Sequence, residues 1–295
     1  MMSILNKQLN REELATLDLF LQGALAPLEG YLTREDHVSV IKGCRLANGY
    51  LWPMPFSLQL SPAEKLQVQL SGRIALLDNE QRIIAEVNAS TLYRLPPDIA
   101  KQAGKSADCW YAGGNIQPQA KVLHSTFNRI RHNTDSLHTK LQDNNWQQVI
   151  ALHTSAKMNS QDMQQACHWL KQHSNNNGDG GILLQVSADD APDLPQNMRQ
   201  LRANIRCNAA KQVNLSVLPV LPELSPERQL ILQARIAKNY GATGFIPGSA
   251  VPRSHQQLLL KHRDELGLEL LLSKRSQFAQ PQCTANAQAE LSIAA

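Results

Sequence analysis

The residues with the most chemical potential in this chain run from Trp146 to His173, WQQVIALHTSAKMNSQDMQQACHWLKQH. An apolar run, Val149-Ile150-Ala151-Leu152, suits a buried strand of a parallel sheet. The polar turn His153-Thr154-Ser155-Ala156-Lys157 follows. A helical pattern then places Met163, Ala166, Cys167 and Leu170 at i, i+3, i+4 and i+7, with Ser160 as N-cap and Asp162 in the first turn. Strand, polar turn and helix N-terminus form the arrangement by which α/β domains hold anions, because unpaired backbone N–H groups and the helix dipole face the ligand. His153, Thr154 and Lys157 are the side chains placed to meet one. Each also has a plainer reading, as turn residues for the first two and a solvated loop lysine for the third.

Other clusters carry less. Asp189, Asp190 and Asp193 could supply oxygen ligands to a divalent cation, although an Asp/Pro-rich surface loop is the commoner origin of such a run. His168 and His173 lie five apart on one helix, a spacing poorly suited to sharing a metal, and read as structural or exposed. The stretch from His124 to Lys140 holds His124, Arg129, Arg131, His132, His138 and Lys140, but Phe127 is its only aromatic, which leaves little to stack on bases. Five scattered cysteines (Cys44, Cys109, Cys167, Cys207, Cys283) with no CxxC pair fit reduced thiols better than a disulfide frame or a zinc site. No metal is expected.

The elements that must position these residues fall into two groups. Residues 11–42 read as helix, turn, helix, with Thr33 capping the second helix. Residues 50–94 look β-rich. Leu51 to Pro55 suits an edge or rigid turn, Leu66 to Leu70 alternates as a half-buried strand does, and Gly72–Leu77 with Arg82–Val87 forms a hairpin-like pair. A strand at Trp110-Tyr111 should end at Gly113-Gly114, and 114–135 reads as the linker. From about residue 145, strands alternate with helices: 149–152, 181–186, 213–220, 244–247 and 268–272 as strands, 195–210, 226–239 and 256–266 as helices. That rhythm predicts a parallel sheet with crossover helices. Domains are therefore expected at 1–140 and 141–275, with 276–295 as a disordered tail.

Composition bounds the function. A 42% hydrophobic and 18% charged chain is that of a soluble globular protein. No apolar run reaches the ~18 residues of a membrane span, and the N-terminus turns polar too early for a secretory signal, so a cytoplasmic protein is expected. The net charge of +4 is mild and divides as 15 basic against 14 acidic residues before position 145 and 14 against 11 after it. Neither part has the charge of a nucleic-acid-binding domain.

Several segments resemble the ATP sulfurylases (sulfate adenylyltransferases). Leu17 to Leu32, read as LDLFLQGALAPLEGYL, is similar to the family's D-x-E-x-I-x-x-G-x-x-S-P-L-x-G-F. Arg45 to Pro55 is close to R-L-x-D-G-x-L-W-P-I-P, and Tyr111-Ala112-Gly113-Gly114 to Y-V-G-G. Trp146 to Leu152, Leu215 to Pro219, Lys238 to Thr243 (KNYGAT) and Asp264 to Gly267 follow in the family's order. The resemblance spans most of residues 15–272. It implies an α+β layout followed by α/β: a PUA-like β domain, then a nucleotidyltransferase-type parallel-sheet domain with Rossmann-like architecture.

The resemblance fails where the family's chemistry lies. After the first strand the family has Q-T-R-N-P-x-H-x-x-H, whose Gln and Arg grip sulfate and whose histidines meet the ATP phosphates. Here only Thr154 matches. Ser155 stands for the arginine, and Asn159 and Asp162 for the histidines. H-P-x-x-G-x-T-K-x-G-D becomes Gln185-Val186-Ser187-Ala188-Asp189-Asp190-Ala191-Pro192-Asp193, without the lysine. G-R-D-H-A-G becomes Gly248-Ser249-Ala250-Val251-Pro252-Arg253. G-P-R-E becomes Pro226-Glu227-Arg228-Gln229, where Arg228 takes the arginine's place. The resemblance thus implies a degenerate anion and nucleotide site at His153, Thr154, Ser155, Lys157, Asn159, Arg228, Gly248 and Arg253, with no catalytic residue among them. Three readings follow: a non-catalytic relative acting by binding or as a partner in sulfur metabolism; a divergent adenylyltransferase needing ATP, Mg²⁺ and sulfate; and an RNA-associated protein using the PUA-like domain. The family's habit of assembling implies a homo-oligomer or a protein partner for the first.

Overall fold

The computed structural model describes residues 4–154, 160–173, 179–187, 194–209, 212–248 and 251–272. The N-terminal part holds β1 (Leu5–Gln8), α1 (Arg11–Leu21), β2 (Gly30–Tyr31), α2 (Arg34–Gly43), β3 (Leu58–Leu60), α3 (Pro62–Ser71), β4 (Arg73–Leu77), β5 (Ile83–Arg94), α4 (Pro97–Gln102) and β6 (Trp110–Pro118). Its sheet runs β1-β4-β5-β6-β2, with β3 also paired to β6. A 3₁₀ turn at Asn128–Ile130 and α5 (Thr134–Asp143) lead into β7 (Gln148–Thr154), α6 (Ser160–His173), β8 (Gly180–Ser187), α7 (Leu194–Ala209), β9 (Val213–Leu218), α8 (Pro226–Asn239), β10 (Gly244–Ile246), α9 (Arg253–Lys261), α10 (Arg263–Leu266) and β11 (Glu269–Leu270). The second sheet runs β11-β10-β7-β8-β9, and each of its pairings is parallel. A β domain followed by a crossover-linked parallel sheet is thus present. Among the described residues no helix is long and apolar enough to cross a membrane.

Local chemistry explains both agreement and error. Thr33 caps α2 by accepting from the Asp36 N–H, as its type and position dictate. The alternating segment Leu66 to Leu70 is helix, not strand. Ser61 and Glu64 close a capping box, Pro62 opens the first turn, and Leu66 and Leu70 are left 60% and 66% exposed. A capping box preceded by nothing that blocks it outweighs five residues of alternation. Nor do the glycines end β6, which continues to Pro118. A Cβ at Gly114 would lie 2.0 Å from Asn88 O, and one at Gly113 would lie 2.5 Å from Leu32 O. Here glycine lets neighbouring backbones close up at the bulge between Ala89 and Thr91. Gly181 acts similarly in β8, where its missing side chain admits the Trp146 ring.

Strand parity divides the second sheet into two faces. Ile150, Leu152, Ile182, Leu184, Val186 and Val217 pack with Met163, Ala166 and Leu170 of α6 and Met198 and Leu201 of α7. Val149, Ala151, Leu183 and Leu218 face the other way, into a core shared with α5, α8 and the N-terminal domain. That shared core runs without a break from Leu17 and Trp52 to Leu230 and Tyr240. Polar bonds fasten the same junction. Asn239 Nδ2 donates to Ala24 O (2.8 Å) and Ala26 O (2.9 Å), and the Tyr240 hydroxyl lies 3.0 Å from both Gln22 Oε1 and His132 O. Arg45 makes a two-pronged ion pair with Glu265, at 2.6 and 2.9 Å.

Candidate functional site

His153 and Thr154 are the last two residues of β7, and their registers fix what stands beside them. His153 pairs with Gln185 of β8, which in turn pairs with Ser216 of β9. Residues in register on adjacent parallel strands present their side chains on one face, so His153, Gln185 and Ser216 form a polar row on the face turned towards α5 and α8. Gln185 and Ser216 are wholly buried. Neither polar atom of Gln185 has a hydrogen-bond partner, nor do Ser216 Oγ and His153 Nδ1. Burial pushes the His153 pKa down to about 4, so the imidazole is neutral near pH 7. Two residues earlier on β9, Asn214 accepts from Lys140 Nζ at 3.3 Å while its Nδ2 stays unpaired.

At the opposite side of β7, α6 brings Asp162 towards the loop after β10. A Cβ on Gly248 would lie 3.7 Å from Asp162 Oδ2. Gly248, with φ +89°, holds a backbone conformation that suits glycine. Asp162 thus stands beside Gly248 on the α6 side of the sheet, whereas the His153 row lies on the face turned towards α5 and α8. Arg228 joins neither. Its guanidinium donates to Ile41 O (2.7 Å) and Pro53 O (3.1 Å) in the N-terminal domain, so it ties the domains together and does not face a ligand. Arg253 opens α9 on the exposed surface. Ser155, Lys157 and Asn159 lie outside the described residues, as do Asp189, Asp190 and Asp193. His168 is exposed on α6. Among the described residues no group of three or more His, Cys, Asp or Glu could hold a metal ion.

The basic stretch after residue 124 is divided: Arg129, His138 and Lys140 are exposed, while His124, Arg131 and His132 are half-buried. His124 Nε2 lies 2.8 Å from Asp18 Oδ2, and Lys140 Nζ donates to Asn214 Oδ1. His124, Asp18, Arg11, Arg131, Leu221 and Glu223 border a cleft of about 470 Å³ between α1, the linker and the loop after β9. Sequence reasoning missed both this cleft and the polar row. The signal for the row was Gln185 and Ser216, two polar residues at the buried parity of otherwise apolar strands.

Comparison with known proteins decides the ancestry. A family model described as a PUA-like domain matches residues 2–128, and one described as ATP-sulfurylase matches residues 128–288. The chain belongs to the ATP-sulfurylase family. Among curated ATP-sulfurylase relatives, the sulfate adenylyltransferase of Schizosaccharomyces pombe is 27% identical over 262 residues, covering 81% of this chain and 52% of that protein. That of Eremothecium gossypii is 25% identical over 297 residues, covering 89% and 58%. This ATP-sulfurylase relative therefore spans a little over half the length of the curated proteins it matches. A solved structure, the hexameric APS kinase from Thiobacillus denitrificans, shares the fold with a TM-score of 0.73 at 23% identity, covering 92% of this chain and 52% of that one.

Proposed function

We propose that the chain is a non-catalytic member of the ATP-sulfurylase family that acts by binding a ligand or a protein partner. The observation that carries this reading is the neutral polar row at the strand ends. His153 is uncharged near neutral pH, Gln185 and Ser216 have no charge, and of the two arginines the sequence offered for the site, Arg228 is committed to two carbonyls elsewhere and Arg253 opens α9 on the exposed surface. Transfer of an adenylyl group to sulfate needs cations or preorganised donors where charge develops, and loss of one such donor typically costs about 3–4 kcal/mol. Asp162 adds repulsion: at ~4 Å and an effective dielectric near 20, one like-charge contact costs on the order of 4 kcal/mol. The described residues at the strand ends do not fit a triphosphate with sulfate.

Purified protein given ATP, Mg²⁺ and sulfate should release pyrophosphate no faster than the protein-free control. Turnover of about 1 per second, the low end for ordinary enzymes, would sink the reading. The partner to test first is a second copy of the chain, since the structural neighbour is hexameric by its description. Sedimentation of the purified chain reads this directly.

A further inference from the structure

We infer that the cleft between α1, the linker and the loop after β9 binds a primary amine carried on an apolar body, with the ammonium seated against Asp18. The inference goes beyond the role proposed above and stands whether or not the chain turns ATP over. One wall of the cleft is α1, where Arg11, Leu14, Ala15 and Asp18 border it at i, i+3, i+4 and i+7, a single stripe of the helix. Seven residues of helix put roughly 10 Å between the first and the last. Arg11 is exposed, while Asp18 is 5% exposed and sits between the buried Leu17 and Leu19. The stripe therefore runs from solvent into the molecule and ends on a carboxylate. Asp18 Oδ2 accepts from His124 Nε2 at 2.8 Å, and among the described residues Oδ1 accepts nothing. A carboxylate offers about four acceptor sites, and a buried one given a single bond destabilises the fold unless something else donates to it.

The rest of the cleft defines the donor. A space of about 470 Å³ at a domain junction has the size and place of a small-molecule site, in which apolar walls surround a few polar groups. The apolar walls here are Leu14 and Ala15 of α1, Val122 of the linker, and Leu221 and Pro222 of the loop after β9. Glu12, Asp18 and Glu223 border the cleft against Arg11 and Arg131, an excess of one acid. Of these charges Asp18 is the most deeply buried: Arg11, Glu12 and Glu223 are exposed, and the half-buried Arg131 is turned to its own segment, its Nε donating to Thr126 O at 3.3 Å. An anion that enters meets a carboxylate at the floor. An ammonium brings three donors and the opposite charge, and its apolar body covers Leu14, Val122 and Leu221. Leu123 and Val220, 66% and 42% exposed, extend the apolar surface at the rim. A ligand held this way touches both domains, so it stabilises their junction by binding the folded chain alone.

The test varies the charge on one apolar body. The full chain is titrated by thermal shift and calorimetry with phenethylamine and tryptamine, with phenethyl alcohol, and with hydrocinnamate, which keeps the ring and carries a carboxylate. Asp18→Asn keeps an acceptor for His124 and removes the charge. Leu123→Lys sets a cation at the rim, on a side chain exposed enough to leave folding intact. The expected result is saturable binding of at least one amine, about tenfold weaker binding of the alcohol and none of hydrocinnamate. Asp18→Asn should lose about tenfold in amine affinity and Leu123→Lys about threefold. Failure of both amines to saturate below about 10 mM overturns the inference. So does binding of the alcohol or of hydrocinnamate as tight as that of the amines. Amine affinity left unchanged by Asp18→Asn, or by Leu123→Lys should Asp18→Asn not fold, places the amine elsewhere and overturns it as well.

Discussion

At the domain junction, Asn239, Tyr240 and Arg228 each reach two partners more than a hundred residues away. At the strand ends, Gln185 and Ser216 are buried yet reach none. The junction is also where the segments resembling the family meet one another. Tyr240 and Asn239 of KNYGAT contact Gln22, Ala24 and Ala26 of the N-terminal segment, and Arg45 meets Glu265 of Asp264 to Gly267. These side chains are fixed by the need to fold two domains against each other, and that need survives a change of ligand. Strand-end side chains answer to the ligand alone, so they are free to change when it does. The contrast makes the junction stabilising and the strand ends costly, and each prediction below tests one side of it.

The largest effect is expected at Tyr240, which is fully buried. Tyr240→Ala removes a large ring and the hydroxyl between Gln22 and His132, and should cost about 3–5 kcal/mol in a urea titration. A loss below ~1 kcal/mol would show that the junction is not a stabilising seam.

The second test uses pH. His37 sits in the N-terminal core with its Nδ1 3.0 Å from the Tyr93 hydroxyl, which donates to Leu32 O. Burial lowers its pKa to about 4, as it does for His153. Both folded values lie below the unfolded value near 6.5, so the unfolded chain binds more protons between those limits. Stability is then fully present above about pH 6.5 and declines as pH falls towards 4, by up to roughly 3 kcal/mol per histidine. His37→Gln and His153→Gln should each flatten part of that decline in urea melts. A slope unchanged by His153→Gln would mean that its imidazole is already solvated, and would weaken the account of a dry, neutral row.

Arg228 separates the two regions most directly. Arg228→Met leaves the carbonyls of Ile41 and Pro53 without their donor and should cost about 2 kcal/mol. A loss below ~0.5 kcal/mol would show that the junction does not hold this arginine and would return it to the site that its sequence position suggests.

The same division governs what could be read from the chain alone. The alternation of strand and helix after residue 145 was legible because β7, β8 and β10 are buried on both faces and the crossover helices have a marked apolar side. The strand and helix within residues 149–170 were legible too, and stand as β7 and α6. The α3 helix was misread because alternation at Leu66 to Leu70 is a five-residue signal, while the capping box that overrides it lies just upstream, at Ser61 and Glu64. Arg228 was misassigned because helix position does not reveal which neighbour a long side chain will meet. The polar row stayed hidden for a related reason. Gln185 and Ser216 are 31 residues apart, and only the register of β8 on β9 makes them neighbours.

The smallest expected change, at Asp162, bears most sharply on the comparison. Its carboxylate lies in the first turn of α6, where the helix dipole favours a negative charge, and it points towards Gly248 at the strand ends. Asp162→Asn should cost only about 0.5 kcal/mol of stability, since a surface charge at a helix N-terminus contributes little more. Its effect on anions distinguishes two ways of excluding them. If one acid bars oxyanions from an otherwise competent site, its removal alone should produce saturable sulfate binding. If the neutral row lacks attraction for charge, sulfate should gain less than about tenfold, or 1.4 kcal/mol. The second outcome is expected, because Gln185, Ser216 and neutral His153 remain as they were. Strong sulfate binding by Asp162→Asn, read by calorimetry, would place the whole difference between this chain and its relatives on one side chain, and would make the strand ends a blocked site, not one rebuilt for another ligand.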